Sequence, residues 1–456
     1  MMQVTRTAGS RTAYVLGAGF SYAVSELMPM TDRLGAAVAE ELGLRGSVQV
    51  PDFAQSGITF ETWMSWLAEQ QPYQSEAEHH EDLALYSLFT HALATVLDGF
   101  EQGVLADGLP SWLHTFVDLV HWQRDDILTF NYDTLLETAL EAQLRVDTKG
   151  RVHAGSVVAG FPSSKALMFN DGRGHIEERD TFALYKLHGS VDWFAVSGDR
   201  SAATLDRFAT SDFANLGVRE MAIEGRDVFL VPPTSTKSGY FDNPKTRYIW
   251  RKARAALQDA DRVVLMGYSL PLTDAAMARM LWSVLPMGSQ EIVIVNPFPE
   301  DVRSHLKALG VREDRIRHVA GVAEFVAAEL EARSADVARA LSSALPERPV
   351  IVAWSEHEAG AITSATFDTV SGTLYLAVDA LDQSRRGILH PAAVSLDANT
   401  RRTKSVGELL EMGRPSRIVA QYGDQSWVVG GRFEDPTADD EEWVVLAPSG
   451  RTERQR

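Results

Sequence analysis

The chain has 456 residues, 45% of them hydrophobic and 23% charged, an ordinary globular composition in a chain too long for one core, so two domains are expected. With Asp+Glu 62 against Lys+Arg 43 the formal charge is −19, which repels nucleic acid on average, and no direct nucleic-acid partner is expected. There is no cysteine, which removes disulfides, thiolate nucleophiles and cysteine-ligated zinc together. No apolar run reads as a membrane span and the opening stretch does not read as a secretory signal, so the expectation is a cytoplasmic, metal-independent protein.

Taken in chain order, AYVLGAGFS reads as a short buried strand that runs into a glycine turn and a helix. From about Phe60 to Val120 apolar residues recur at helical spacing, with Trp63, Trp66 and Leu67 as the clearest core stripe. The acidic QQPYQSEAEHHED reads as an exposed loop interrupting that region. DDILTFNYD is a second strand and turn, followed by the helical LLETALEAQL, and ALYKLHGSVDWF is a third strand ending at a polar turn. DVFLVPP, DRVVLMGYSL and EIVIVNPFP are three more apolar, β-branched runs, the last two preceded by the helical RYIWRKARAALQDA and TDAAMARMLWSVL. Strands alternating with helices predict an α/β fold, a Rossmann-like parallel sheet with a helical insertion at about 45–120. The helical FVAAELEARSADVARALSSAL leads to Pro346 and Pro349, which place a linker at 333–349 between a domain over 1–332 and a β-rich one over 350–456. In that last part VIVAW, ATFDTV, TLYLAV, SRIVAQY, QSWVVGG and EWVVLA predict a small sandwich or barrel, with the acidic EDPTADDEE as a solvated loop.

Ligands of an open parallel sheet bind beyond the carboxyl ends of its strands, where the unusual residues of this chain cluster. Gly17, Ala18 and Gly19, followed by Phe20 and Ser21, form a glycine turn that serves packing as readily as a pyrophosphate. It departs from the dehydrogenase fingerprint, because Tyr22 stands at the third small position and no acidic residue closes a second strand about 20 residues on. Asn131 and Asp133 suit a helix cap with an Asx-turn as well as a site. His188, followed by Ser190 and Asp192, is a structural histidine or a catalytic one.

The ordered set GAGFS, FNYD, KLHGS, MGYSL and VNP resembles the sirtuin family, specifically its bacterial sirtuin-like branch, over roughly Ala13 to Val326. The resemblance implies that Gly17, Ala18, Gly19, Phe20 and Ser21 hold the pyrophosphate of NAD, which is the substrate, with no metal. Asn131 and Asp133 would line the nicotinamide and inner-ribose pocket, and His188 would act at the ribose hydroxyls. Gly267, Tyr268 and Ser269 would lie beside the adenosine half, and Asn296 at the adenine ribose. The four-cysteine zinc module of protein-deacetylating sirtuins cannot be built here, and inserted helices are expected in its place. Where those enzymes have a Pro-Asp-Phe-Arg loop, this chain has only Met28 to Arg33, which leaves Thr31 and Arg33 as expected cofactor contacts. The run Val231 to Lys237 looks like a Pro-Pro stretch near the site, or is a rigid surface loop.

Expelling neutral nicotinamide from a pyridinium needs no proton on the leaving group, so the paired carboxylates of ordinary glycosidases are dispensable. Asn131 is expected to bind a ribose hydroxyl or orient water, His188 to accept a hydroxyl proton, and Asp133 to fix the pocket. The expected activity is an NAD glycohydrolase giving nicotinamide and ADP-ribose, and the resemblance implies an NAD-depleting effector of bacterial phage defence. Such an effector would be a homo-oligomer held silent until a sensor or defence-system partner protein activates it, with the β-rich part as its regulatory or oligomerising module. The alternatives are an NAD-dependent deacylase or ADP-ribosyltransferase, and a non-catalytic sensor of NAD or ADP-ribose.

Overall fold

The computed structural model describes residues 11–141 apart from 48 and 124, then 181–198, 205–208, 216–235, 238–241, 243–271, 274–330 and 332, with the backbone of further strands between 145 and 180 and beyond 350. The buried, β-branched runs of the sequence become β1 (Thr12–Leu16), β2 (Asp126–Thr129), β3 (Ala183–Lys186), β4 (Arg262–Met266) and β5 (Glu291–Val295), with β6 (Ile316–Val319) at the edge. All pair in parallel, in the spatial order β3-β2-β1-β4-β5-β6. Strands covered on both faces carry continuous apolar runs, which is why these segments do not alternate. The helices are α1 (Ala18–Val24), α2 (Thr31–Glu41), α3 (Phe60–Ala68), α4 (Glu76–Asp107), α5 (Ser111–Gln123), α6 (Leu135–Glu141), α7 (Pro244–Asp259), α8 (Ala275–Val284) and α9 (Pro299–Ala308), with further ones at Leu216–Ile223 and Ser238–Phe241.

Alternation survives in which face each residue serves. Ala13 and Val15 join a core with Ile249 and Leu257 of α7, Met277 and Leu281 of α8, and Leu306 of α9. Tyr14 and Leu16 join the opposite core with Phe20 of α1, Phe116 of α5 and Leu135 of α6. The register sets Leu16 beside both Thr129 and Met266, Thr129 beside Lys186, Met266 beside Val295, and Val295 beside Val319. The strands therefore finish level, and every following loop rises from one edge. Strand order reverses between β1 and β4, where a doubly wound sheet opens its ligand crevice.

Several sequence expectations are corrected. DVFLVPP does not join the main sheet: Arg226–Leu230 pairs antiparallel with Gly189–Val196, which also pairs with Asp206–Arg207. The sixth parallel strand is instead Ile316–Val319, an edge strand whose exposed Arg317 and His318 conceal it from an apolar-run reading. An antiparallel sheet of Ser156–Ala159, Ala166–Asn170 and Ile176–Asp180, between α6 and β3 in the chain, was not anticipated either. The acidic stretch is only partly loop. Ser75 accepts from Glu78 N and the Glu78 carboxylate accepts from Ser75 N, and this capping box starts α4 at Glu76. Trp66 leaves the apolar stripe of α3 at 47% exposed, and the buried side chains there are Phe60, Trp63, Met64 and Leu67.

The helical insertion has its own core, in which those α3 residues pack with Leu34 and Val38 of α2, and Phe89, Leu93 and Leu97 of α4. Val191, Leu230 and Tyr132 pack against that core too, so the insertion rests on loops of the sheet edge. By length and composition α4 could cross a membrane, yet it carries this inward stripe, with the buried Glu101 within it. Beyond residue 350, Ile351–Ala353, Ala359–Asp368, Thr373–Ala380, Arg417–Tyr422, Gln425–Val429, Trp443–Leu446 and Thr452–Gln455 form one seven-stranded mixed sheet in sequence order. The expected linker at 333–349 and the acidic run EDPTADDEE lie outside the described residues.

Candidate active site

The turn after β1 and the turn after β4 are built against each other. Gly17 N donates to Met266 O at 3.2 Å and Gly19 N to Gly267 O at 2.9 Å. Gly267 has φ +60, and a Cβ there would lie 2.1 Å from Phe20 N, so only glycine lets the two turns meet. Two N–H groups of the first turn are thus spent on the second, and the crevice between β1 and β4 has a rigid floor.

The turn after β2 joins this pair through side chains. Asn131 Nδ2 donates to Gly17 O at 2.9 Å and to Ser21 Oγ at 2.8 Å. A carbonyl can only accept, so the Gly17 contact orients the amide, and Oδ1 is its group left for a ligand. Ser21 Oγ in turn donates to Asp133 Oδ2 at 2.6 Å, while Asp133 Oδ1 accepts from Leu135 N at 3.3 Å. Asp133 is therefore both the Asx-turn opening α6 and a link to the first loop. Asn131 is no helix cap: its side chain crosses to the turn after β1.

Below the loop lies a set of buried charges that the sequence reading passed over. Lys186, the last residue of β3, donates through Nζ to Asp133 O at 2.6 Å, Glu137 Oε1 at 3.0 Å and Tyr132 O at 3.4 Å. Burial works against its charge, but Glu137, Asp192 and Asp133 outweigh burial and hold the proton more tightly than usual. Ser190 Oγ also donates to Tyr132 O, at 3.2 Å. Glu101 reaches in from α4 and accepts from Thr134 N at 3.0 Å and from the Thr134 hydroxyl. Burial first, and Asp133 second, push the Glu101 carboxyl up to about 8. The sequence carried a signal for both residues: a lysine inside a buried parallel strand, and a glutamate on the inward stripe Phe89, Leu93, Leu97 of an apolar helix.

His188 is buried where β3 ends, with its ring edge-on to Phe130 at 4.9 Å and tilted against Tyr132 at 6.5 Å. Gly189 follows with φ +80, and a Cβ there would lie 2.1 Å from Phe229 O. Asp192 is committed to a buried ion pair with Arg207, which also meets Glu141 at 3.2 Å. The Pro-Pro stretch is not a surface loop at its start. Val231 N donates to His188 O at 2.8 Å, Tyr132 Oη donates to Val231 O at 2.7 Å, and Val231, Pro232 and Thr234 are buried.

The remaining candidates are spread along the same edge. Tyr268 is buried, stacked on Phe130 at 4.7 Å with its hydroxyl donating to Asp274 at 3.1 Å, whereas Ser269 is exposed. Burial and Asp274 together hold the Tyr268 proton well above the usual phenol range. Asn296 uses Oδ1 locally, accepting from Phe298 N at 2.9 Å, which leaves its amide hydrogens for a ligand. Thr31 opens α2, and Arg33 donates to Glu26 O at 2.9 Å and lies over Phe100. Among the contacts described, neither Thr31 nor Arg33 meets the Asn131 network. Among the described residues there is no cluster of His and carboxylate groups with the geometry of a metal site.

Residues 125–313 match the family model described as SIR2-like domain. The match takes in Asn131, His188, Gly267 and Asn296 but begins after the glycine turn, which the helical insertion separates from it in sequence and which docks back on Gly267. No curated protein matches the chain.

Proposed function

We propose, because residues 125–313 match the model of a SIR2-like domain, whose family chemistry is NAD-related, that this chain is an NAD glycohydrolase that releases nicotinamide and leaves ADP-ribose. The observation that carries the reading is Asn131, whose amide is fixed by Gly17 O and Ser21 Oγ so that Oδ1 presents one acceptor at the switch point of the sheet. The residues fit a dinucleotide laid across that edge: Oδ1 of Asn131 at one end, exposed Ser269 at the β4 turn, and the free amide hydrogens of Asn296 at the other.

In this mechanism the nicotinamide leaves as a neutral base, so the protein protonates nothing at the leaving group. Asn131 orients a ribose hydroxyl or the attacking water and His188 accepts a hydroxyl proton. Asp133 acts through Ser21, keeping the Asn131 amide in place. With no cysteine to build the zinc module of protein-deacetylating sirtuins, the chain fits a hydrolase better than a protein deacylase. An effector role in bacterial defence, in the cytoplasm and under control of a partner protein and the C-terminal sheet, extends this proposal.

The test is chromatography of NAD incubated with the purified chain, with Asn131→Ala as control. Nicotinamide and ADP-ribose that appear with the parent and vanish with the variant support the assignment. Acetyl-ADP-ribose or a modified protein would instead mean transfer, and saturable NAD binding without product would mean a sensor. A chain that does not bind NAD at all refutes the reading.

A further inference from the structure

The helical insertion does more than cover the sheet edge. Its longest helix, α4, buries the stripe Phe89, Leu93, Leu97, Glu101 and Val104, and Glu101 is the one charged side chain in it, only 3% exposed. A carboxyl group at such a place loses its hydration and is costly unless it is well bonded, so an apolar residue would fold more favourably there. What Glu101 does instead is hold Thr134 by both its N–H, at 3.0 Å, and its hydroxyl. Thr134 directly follows Asp133, and Asp133 holds Ser21, which is held in turn by Asn131. We propose that Glu101 is a positioning residue, contributed by the insertion, that fixes the Asn131–Thr134 loop for NAD cleavage. Its activity arm rests on the hydrolase reading above.

The charged and titratable groups that face Glu101 are Asp133 on the loop and Lys186 from β3, with Glu137 of α6 engaged by that lysine. Burial and Asp133 raise the Glu101 carboxyl to about 8, against Thr134 and Lys186, which oppose the rise. A neutral carboxyl accepts from Thr134 N with one oxygen and donates from the other to the Thr134 hydroxyl oxygen, whereas the ionised group accepts at both. Glutamine reproduces the neutral pattern with its carbonyl and amide. Ionised Glu101 instead sets a second negative charge beside Asp133, the residue on which Ser21 and Asn131 hang. A plain cap for α6 would be served better by the ionised form, whose charge faces the positive end of the helix.

The experiment compares the full-length parent with Glu101→Gln and Glu101→Ala, following nicotinamide release from about pH 6 to about 9.5. Turnover of the parent is expected to fall through about pH 8, that of Glu101→Gln to stay level, and Glu101→Gln to keep most of the turnover that Glu101→Ala loses, roughly tenfold or more. If release is silent, NAD affinity by calorimetry carries the same comparison. Melting temperature supplies a readout free of NAD. The folded carboxyl keeps its proton above the 4.5 of the unfolded chain, so it costs nothing below that pH and destabilises increasingly as pH rises toward about 8. Glu101→Gln should therefore melt above the parent, by a margin that widens over that window. Coincident pH profiles for parent and Glu101→Gln overturn the positioning role, and a melting margin independent of pH overturns the held proton beneath it. A margin that widens in a chain neither binding nor cleaving NAD sinks the hydrolase reading while the clamp on Thr134 stands.

Discussion

Asn131 and Asn296 are the same residue type at nearly the same height, each just past the carboxyl end of a parallel strand, yet the structure uses them in opposite ways. Asn131 spends its amide hydrogens on the neighbouring loop after β1, at Gly17 O and Ser21 Oγ, and keeps its oxygen. Asn296 spends its oxygen locally, on Phe298 N, and keeps its hydrogens beside an exposed ring. The first is a crosslink between loops from neighbouring strands, and the second is a local Asx-turn that opens a helix. A crosslinked group cannot move without disturbing three loops, which is the condition for precise orientation of a reacting atom. A local turn tolerates small shifts and suits a binding contact.

That contrast can be broken by experiment. The largest effect is expected from Asn131→Ala, which should lower NAD turnover by about 100- to 1,000-fold while costing only about 1–2 kcal/mol of stability. A variant that keeps parental turnover would remove Asn131 from the chemistry. Next comes Lys186→Met, which leaves the Glu137 carboxylate buried without its partner and takes the lysine donor from the Asp133 carbonyl. Denaturant unfolding should show a loss of about 3 kcal/mol, and a neutral result would mean that the buried pair is replaceable by an apolar side chain. Gly267→Ala should cost about 2 kcal/mol, because a Cβ at φ +60 would press on the α1 backbone, and NAD affinity should fall with it. The smallest effect is expected from Asn296→Ala, a few-fold rise in KM with kcat held, worth about 0.5–1 kcal/mol by the same steady-state assay. If Asn296→Ala instead matched Asn131→Ala, the distinction between crosslink and local turn would have no functional content.

The loops themselves were legible because glycine, asparagine and histidine at strand ends interrupt apolar runs. The network beneath them was not, and the reasons differ by residue. Lys186 sat inside the quoted KLHGS, masked by the motif around it, although a buried lysine in a parallel strand is an anomaly in its own right. Glu101 was hidden by distance, since nothing local links a position in the last turns of a long helix to a loop 33 residues later. Tyr268 shows the opposite case. The Gly-Tyr-Ser turn placed it at the ligand edge, while its ring turned inward onto Phe130 and its hydroxyl onto Asp274. Backbone position follows from the strand, but the direction of a side chain follows from which neighbour offers a surface.

From the amino-acid order alone came the parallel sheet, the helical insertion, the strands of the C-terminal part and the set of strand-end residues, because burial on both faces and turn chemistry write themselves as local patterns. Only the tertiary structure decided that Arg226–Leu230 belongs to a side sheet, that Ile316–Val319 completes the main one, and that α4 delivers a carboxyl group to the loop after β2. Strand partnership and buried polar contacts are settled by what lies across a gap in space. No spacing along the chain records that distance.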